Sequence, residues 1–321
     1  AASPVASPAA AKPVALPPKP ANFPTGAIQL WVGFPAGGST DVGARILAAS
    51  MEPILGQSVT VVNKPGGSGQ AMWTELARQR PDGSILGLSN VPQLQTTIID
   101  PERQAQFTLD SFTPIANQVL DPGSLFVPTN SRFRTLQDVI EAARQTPRRI
   151  TMGDTGIASD DHLQTLDLER LANIETRVVH FEGGAPLTTA VLGSQIDVAV
   201  NNVGEFVSRV KSGDGRLLAV ADQTRNRFVP DVPTFTELGF PIISYSGRGY
   251  IGPAGMSPEL VNYLAAVIQT AMNTQDLRTR MDDVGLEQRY MGPAEFQTFL
   301  QEQMQRAQSL FELVEEERKR G

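Results

Sequence analysis

Short apolar runs that alternate with helix-like segments across glycine-rich turns are what most narrows the folds open to this chain. From Ala27, AIQLWVGF reads as a buried strand, residues 41–55 as a helix stopped at Gly56, and SVTVVN as a second strand. That order implies a parallel pair with the helix crossing over it. Pro53, in the last turn of the helix, is expected to kink or shorten it. PGGSGQAMWTELARQRPDG then reads as a turn and a helix ended by Pro-Asp-Gly, and SILGLSN as the next strand.

From about Leu125 the pattern restarts. SLFVPTN, RITMGD, RVVHFEG, QIDVAVNN and RLLAVAD read as strands. TLQDVIEAARQT, ASDDHLQTLDLERLANI, PLTTAVLGS and EFVSRVKSGD read as the helices between them. The remainder holds an expected strand at 242–245, a helix at 258–273 and a long amphipathic helix from Pro293 towards Arg318. The fold class expected is α/β, with two doubly wound lobes. A chain of 321 residues with 40% apolar side chains has room for both cores. Residues 26–122 with 246–321 are assigned to lobe 1 and residues 123–245 to lobe 2. Crossing segments near Asp121–Ser124 and Ser244–Gly247 are expected to act as hinges. Residues 1–25, rich in Ala and Pro, read as a disordered leader. Ligands of such sheets bind beyond the carboxyl ends of the strands, which puts the expected site in a cleft between the lobes.

Composition removes several function classes. Twenty-seven basic against 34 acidic residues give a net charge of −7, which repels nucleic acid and anionic lipid, so an anionic ligand needs a local positive site. Without cysteine there is no disulfide, zinc-thiolate site or cysteine nucleophile. No apolar run has the length of a membrane span, and no charged, then apolar, signal segment opens the chain, so an export signal is expected to have been removed already.

The loops carry the chemistry. In FPAGGSTD, Gly37 and Gly38 allow a sharp turn, so that amides from Gly38 to Asp41 converge at the positive end of the next helix, with Ser39 or Thr40 able to cap it. Such a mouth suits a carboxylate, although an ordinary strand-to-helix turn would carry the same residues. GDTGIASDDH (153–162) and HFEGGAP (180–186) repeat the device in the second lobe. Three amide-rich turns on two lobes can converge on one anion, and none contains a lysine.

Competing motifs fail. There is no Walker A pattern and no serine with glycine at both −2 and +2. Residues 247–252 match GxGxxG, but Pro253 and Gly255 follow where a dinucleotide fingerprint needs a helix, so the match reads as chance. Asp160, Asp161 and His162 are neighbours on a helix, diverging by about 100° each, and cannot all face one metal ion. His180 has no evident spacing to them. The aspartates read instead as favouring a helix N-terminus, with His162 a hydrogen-bonded helical residue.

FPAGGSTDVGAR, VVNKPGGSGQ, the PDG before a strand, HFEGGAP, VPTFTELGFP and GPAGMSPELVNYL, in that order, resemble the Bug family of periplasmic solute-binding proteins, the receptors of tripartite tricarboxylate transporters. The resemblance spans about Pro24 to Glu316. It implies a Venus flytrap of the type II periplasmic binding-protein kind, closing on a small carboxylate: a di- or tricarboxylate, or an aromatic acid. It also implies a monomer in the periplasm that delivers this ligand to membrane transporter subunits, with no cofactor, metal, nucleic acid or catalysis. By that resemblance the loop Pro35, Ala36, Gly37, Gly38, Ser39, Thr40, Asp41 and the loop holding Glu182, Gly183, Gly184 and Ala185 grip one carboxylate. Thr155, Gly156, Ser159 and Asp160 stand where the family's Gly/Ser turn touches ligand, and Asn202 where a strand end reads its variable portion. Two departures bear on which acid is bound. Ser246-Gly247-Arg248-Gly249 stands where many members have an aromatic residue before the GPAG-like turn, and Asp160-Asp161-His162 replaces a simpler Ser-x-x-His.

Arg248 is expected to aim into the cleft from the glycine-flanked end of the strand at 242–245 and to bind the distal carboxylate of a diacid; the alternative is a hinge brace through carbonyls or an acid such as Glu205. Two other function classes stay open. One is a two-domain α/β enzyme using His162 with Asp160, and the other a sensor docking on a signalling membrane protein.

Overall fold

The structure is a computed structural model and describes residues 15–320. The expected leader therefore falls mostly outside the described residues, but Phe23 at its end is buried, packed edge-on against Tyr263 with ring centroids 6.1 Å apart.

In chain order the first lobe opens with β1 (Ile28–Val32), α1 (Ser39–Leu55), β2 (Val59–Asn63), α2 (Gln70–Leu76), β3 (Ile85–Val91) and α3 (Gln93–Ile99). The 17-residue β4 (Phe112–Pro128) then carries the chain across to the second lobe. There follow α4 (Leu136–Gln145), β5 (Thr151–Asp154), α5 (Asp160–Ala172), β6 (Arg177–His180), α6 (Gly184–Leu192), β7 (Val198–Asn202), α7 (Val203–Ser212) and β8 (Gly215–Val220). The return strand β9 (Tyr245–Pro253) leads to α8 (Pro258–Met272), α9 (Gln275–Asp283), β10 (Gln288–Met291) and α10 (Pro293–Arg320). The strand order is β2-β1-β3-β9-β4-β7-β5-β6, with β10 and β8 also on β4. β1, β2 and β3 are parallel, as are β5, β6 and β7, whereas β9 runs antiparallel between β3 and β4.

β4 changes partners where the lobes meet. Up to Pro122 it pairs with β9, in register with Tyr245; from Gly123 it pairs with β7, in register with Asn202. Each lobe has its own buried core. Ile28, Leu30, Leu47, Met51, Leu264 and Ile268 belong to one, and Leu125, Val139, Ile140, Val198 and Phe235 to the other. The assembly is the two-lobed α/β Venus flytrap, with the carboxyl ends of β1 and β5 facing each other across the cleft.

Three local expectations need correction, and three elements had none. No strand covers 242–244; β9 begins at Tyr245 and runs through the glycines. Those glycines make room for neighbouring side chains. A Cβ on Gly249 would sit 2.4 Å from Phe296 Cζ, one on Gly247 3.1 Å from Phe299 Cε1, and one on Gly252 2.1 Å from Met256 Sδ. The GxGxxG match is thus a packing seam for α10 and the turn before α8. Secondly, α1 begins at Ser39 with Gly38 as its N-cap, so neither Ser39 nor Thr40 caps it. Thirdly, α1 runs past Pro53 to Leu55, because one missing amide in the last turn costs little beside the left-handed Gly56, whose N–H closes on Glu52 O. Lastly, α3, α9 and β10 fall on segments for which the sequence offered no pattern.

Candidate functional site

Strand-to-helix turns place two helix N-termini face to face. After β1 the chain turns at Gly37, whose φ of +93° is open to glycine at little cost, and enters α1 through Gly38. After β6 it turns at Gly183, φ +117°, and enters α6 at Gly184. A Cβ on Gly38 would lie 3.5 Å from Ala185 N and 3.8 Å from Gly184 N, so the two mouths, one from each lobe, abut. Both present first-turn amides without intrahelical partners and the positive end of a helix.

A narrow, largely polar space opens at this junction. Of the expected residues, Pro35, Gly38, Ser39, Thr40, Thr155, Asp160, Gly183, Gly184, Asn202 and Arg248 line it. The other seven stand behind it or at its rim. Ala36 and Gly37 are exposed. The Asp41 carboxylate turns inward, accepting from Gly37 N (3.0 Å), Arg45 Nε (2.9 Å) and Asn63 Nδ2 (2.9 Å). Burial alone would raise its pKa, but these bonds outweigh burial and hold it below the usual value. It shapes the loop. Gly156 donates to Asp154 Oδ1, and Ser159 caps α5 by accepting from His162 N at 3.1 Å. Glu182 is exposed and accepts from Ser68 N across the cleft at 3.3 Å; Ala185 lies in the first turn of α6.

The far end of the space is polar and buried. Arg248 is 3% exposed; its Nη2 lies 3.1 Å from Asp121 Oδ2 and donates to Asn202 Oδ1 at 2.9 Å. Asn202 in turn donates to Asp160 Oδ2 at 2.7 Å. Arg248 Nε and Nη1, Asn90 Oδ1 and Ser246 Oγ are buried without a partner. These three residues all line the same space. Buried groups of this kind are costly unless something completes them. Burial pushes Asp121 up to about 6 against the pull of Arg248, and raises Asp160 against the bond from Asn202. Asp161, which accepts from Thr155 Oγ1 at 2.5 Å, is held well above the usual range by burial and then by Asp160.

Sequence reasoning missed Phe34, Asn90, Asn201 and Ser246 in the lining, and above all Glu205. Glu205 reaches from α7 into the junction of the two mouths: Oε2 accepts from Ser39 N at 2.7 Å and Oε1 from Thr188 Oγ1 at 3.2 Å. Its position in the first turn of a charged helix reads as solvated, and only the three-dimensional approach of α7 to α1 reveals it.

His162 and Asp160 do not form an acid–base pair. His162 Nδ1 accepts from Ala158 N at 3.0 Å, which leaves the proton on Nε2, 3.0 Å from Glu317 Oε2. Asp154, His162 and His180 approach within 4.8 Å of one another, but a histidine whose Nε2 carries the proton offers no lone pair there, and His180 is taken by Asp154 at 2.7 Å. Burial lowers the His180 pKa and the Asp154 bond more than offsets it.

Two lobes, a cleft at the carboxyl ends of the strands and a junction of two helix mouths define the fold of the periplasmic binding proteins. The profile of the family described as "Tripartite tricarboxylate transporter family receptor" matches residues 43–315, and the chain belongs to that family. A Cupriavidus necator protein described as "UPF0065 protein in gbd 5'region" is 29% identical over 296 residues, 91% of this chain and 88% of the relative. Among solved structures, MatC from Rhodopseudomonas palustris with bound malate superposes with a TM-score of 0.82 at 26% identity, covering 90% of this chain and 99% of MatC. The periplasmic binding protein BugD superposes at 0.85, also at 26% identity, over 91% and 98%. The chain is thus a Bug-type solute receptor of that family, and these neighbours are binding proteins. Among the described residues no helix is long and apolar enough to cross a membrane.

Proposed function

We propose that this chain works in the periplasm without catalysis, capturing a small organic acid with at least two carboxyl groups and delivering it to the membrane subunits of a tripartite tricarboxylate transporter. One carboxylate lies at the facing mouths of α1 and α6, and the distal one on Arg248. The observation that carries this reading is the pair of buried, unpartnered nitrogens, Nε and Nη1, on Arg248, which lines the same space as those mouths. Separate donors on one lining recognise two anionic groups, and each free N–H of the guanidinium, on opposite sides of Nη2's own pairs with Asp121 and Asn202, offers a single charge-assisted hydrogen bond. The neighbour with bound malate, a diacid, supports the ligand class, and the family description supports the transporter as recipient. That the neighbours are binding proteins supports binding without turnover.

The test compares Arg248→Met on malate and on its monoamide by calorimetry, with malate recovery measured to detect turnover. Selective weakening for the diacid, by about 1.5–3 kcal/mol, is expected for a lost charge-assisted pair. Equal loss for both ligands makes Arg248 a hinge brace, and consumption of malate makes the protein an enzyme.

A further inference from the structure

We propose that Glu205 is a tethered competitor: its carboxylate occupies the position of the ligand's first carboxylate in the ligand-free protein and must be displaced for the ligand to enter. The inference rests on the reading that a ligand carboxylate binds at the mouths of α1 and α6, and adds a residue that decides which ligands succeed.

The geometry is that of a bound anion. Glu205 Oε2 accepts from Ser39 N, the first amide of the 17-residue α1, at 2.7 Å. The same oxygen lies 3.7 Å from where a Cβ on Gly38 would stand and 2.5 Å from where one on Gly184 would stand, so it sits in the junction of the two mouths. A glycine at 184 is what lets the carboxylate in. Ser39 belongs to one lobe, and Glu205 with Thr188 to the other, so the bond also ties the lobes together across the cleft. In the lining of the same space Arg248 keeps Nε and Nη1 buried without partners, so the protein's own carboxylate completes only part of the site.

Two consequences follow. A second carboxylate cannot share the Ser39 amide with Glu205 without strong like-charge repulsion in a space that water scarcely screens. Entry therefore exchanges one carboxylate for another at the helix mouths, and the net gain has to come from the distal group on Arg248. A monocarboxylate gains nothing at that end and fails to displace Glu205. Glu205 thus sets selectivity for longer, doubly charged acids against single carboxylates.

The experiment uses the full chain, wild type and Glu205→Gln, which keeps the shape and removes the charge. In the first arm, calorimetry with malate and with acetate is expected to show tightening in Glu205→Gln of at least about fivefold for malate, and detectable acetate binding only in the variant. In the second arm, which needs no ligand, nitroxide labels on Gln57→Cys and Gln145→Cys, one per lobe in a chain with no cysteine of its own, report the inter-lobe distance. Glu205→Gln is expected to lengthen or broaden that distribution in the ligand-free protein. An unchanged distribution overturns the proposal, and so does equal or weaker malate binding by a variant whose wild type binds malate. If neither protein binds malate and the distance still lengthens, Glu205 stands as the cleft's internal anion, and it is the diacid reading that fails.

Discussion

Asp121 sits behind Arg248, and the two decide how positive the far end of the site is. Burial pushes the Asp121 pKa up to about 6, from an ordinary value of 3.8. A carboxyl raised on folding binds its proton more tightly in the folded chain. Its contribution to stability is therefore complete below the ordinary value and is lost as pH rises through about 6. The same titration acts on the ligand. Protonating Asp121 removes the carboxylate facing Arg248 Nη2 and leaves the guanidinium charge to an entering anion. Malate affinity is expected to rise as pH falls from about 7.5 to about 5.5, and Asp121→Asn is expected to bind more tightly at the upper pH with a flatter profile. Calorimetry across that range checks it; a slope as steep in Asp121→Asn as in the wild type would place the titrating group elsewhere. At this scale the turns into α1 and α6 were legible as strand-to-helix turns, because glycines and hydroxyls cluster where a strand gives way to a helix. Glu205 and Asn90 were not, since a lone acid on a helix and an amide inside a strand acquire meaning only from what folds against them.

Among the elements, α10 has the widest reach. Phe296, Phe299 and Leu300 pack in the first lobe, while Phe311 and Val314 join Leu163 and Leu166 of α5 in the second. Near its end Arg318 donates to both oxygens of the buried Asp100, at 3.1 and 2.7 Å, and Glu317 meets His162. Phe311→Ala is expected to destabilise the protein by about 3 kcal/mol, the loss from an aromatic ring only 6% exposed, with an unchanged denaturant slope. A midpoint shift worth less than about 1 kcal/mol would mean that the end of α10 is only loosely seated. The sequence reading found this helix from its period, but not the strand it covers. In β9 glycines alternate with larger residues because the rings of Phe296 and Phe299 lie on that face, and the resulting Gly-x-Gly text looks like a loop. In β4, Pro114, Pro122 and Gly123 hid the first part of the strand, of which the sequence showed only the end from Ser124, although Pro122 and Gly123 stand where its partner changes.

At the scale of the molecule, the lobes meet through bonds that bypass the strands. Arg103 Nη2 donates to Ile157 O at 3.0 Å, Thr96 Oγ1 to Ala158 O at 2.8 Å, and Ser39 N to Glu205. The alternation of strands and helices made two lobes legible, since each βαβ unit dictates a parallel pair. The closeness of the lobes was not legible, because it depends on contacts between loops far apart in sequence. The central claim is that one ligand carboxylate lies between the N-termini of α1 and α6. Gly38 tests it cleanly. Its φ of −78° suits any residue, and a Cβ there would meet only ordinary contacts, so the branches of a valine would fill the junction with little backbone strain. Calorimetric titration of malate into the wild type and Gly38→Val is the measurement. The account predicts one-to-one binding by the wild type and none by a folded Gly38→Val; equally tight binding by both would contradict it.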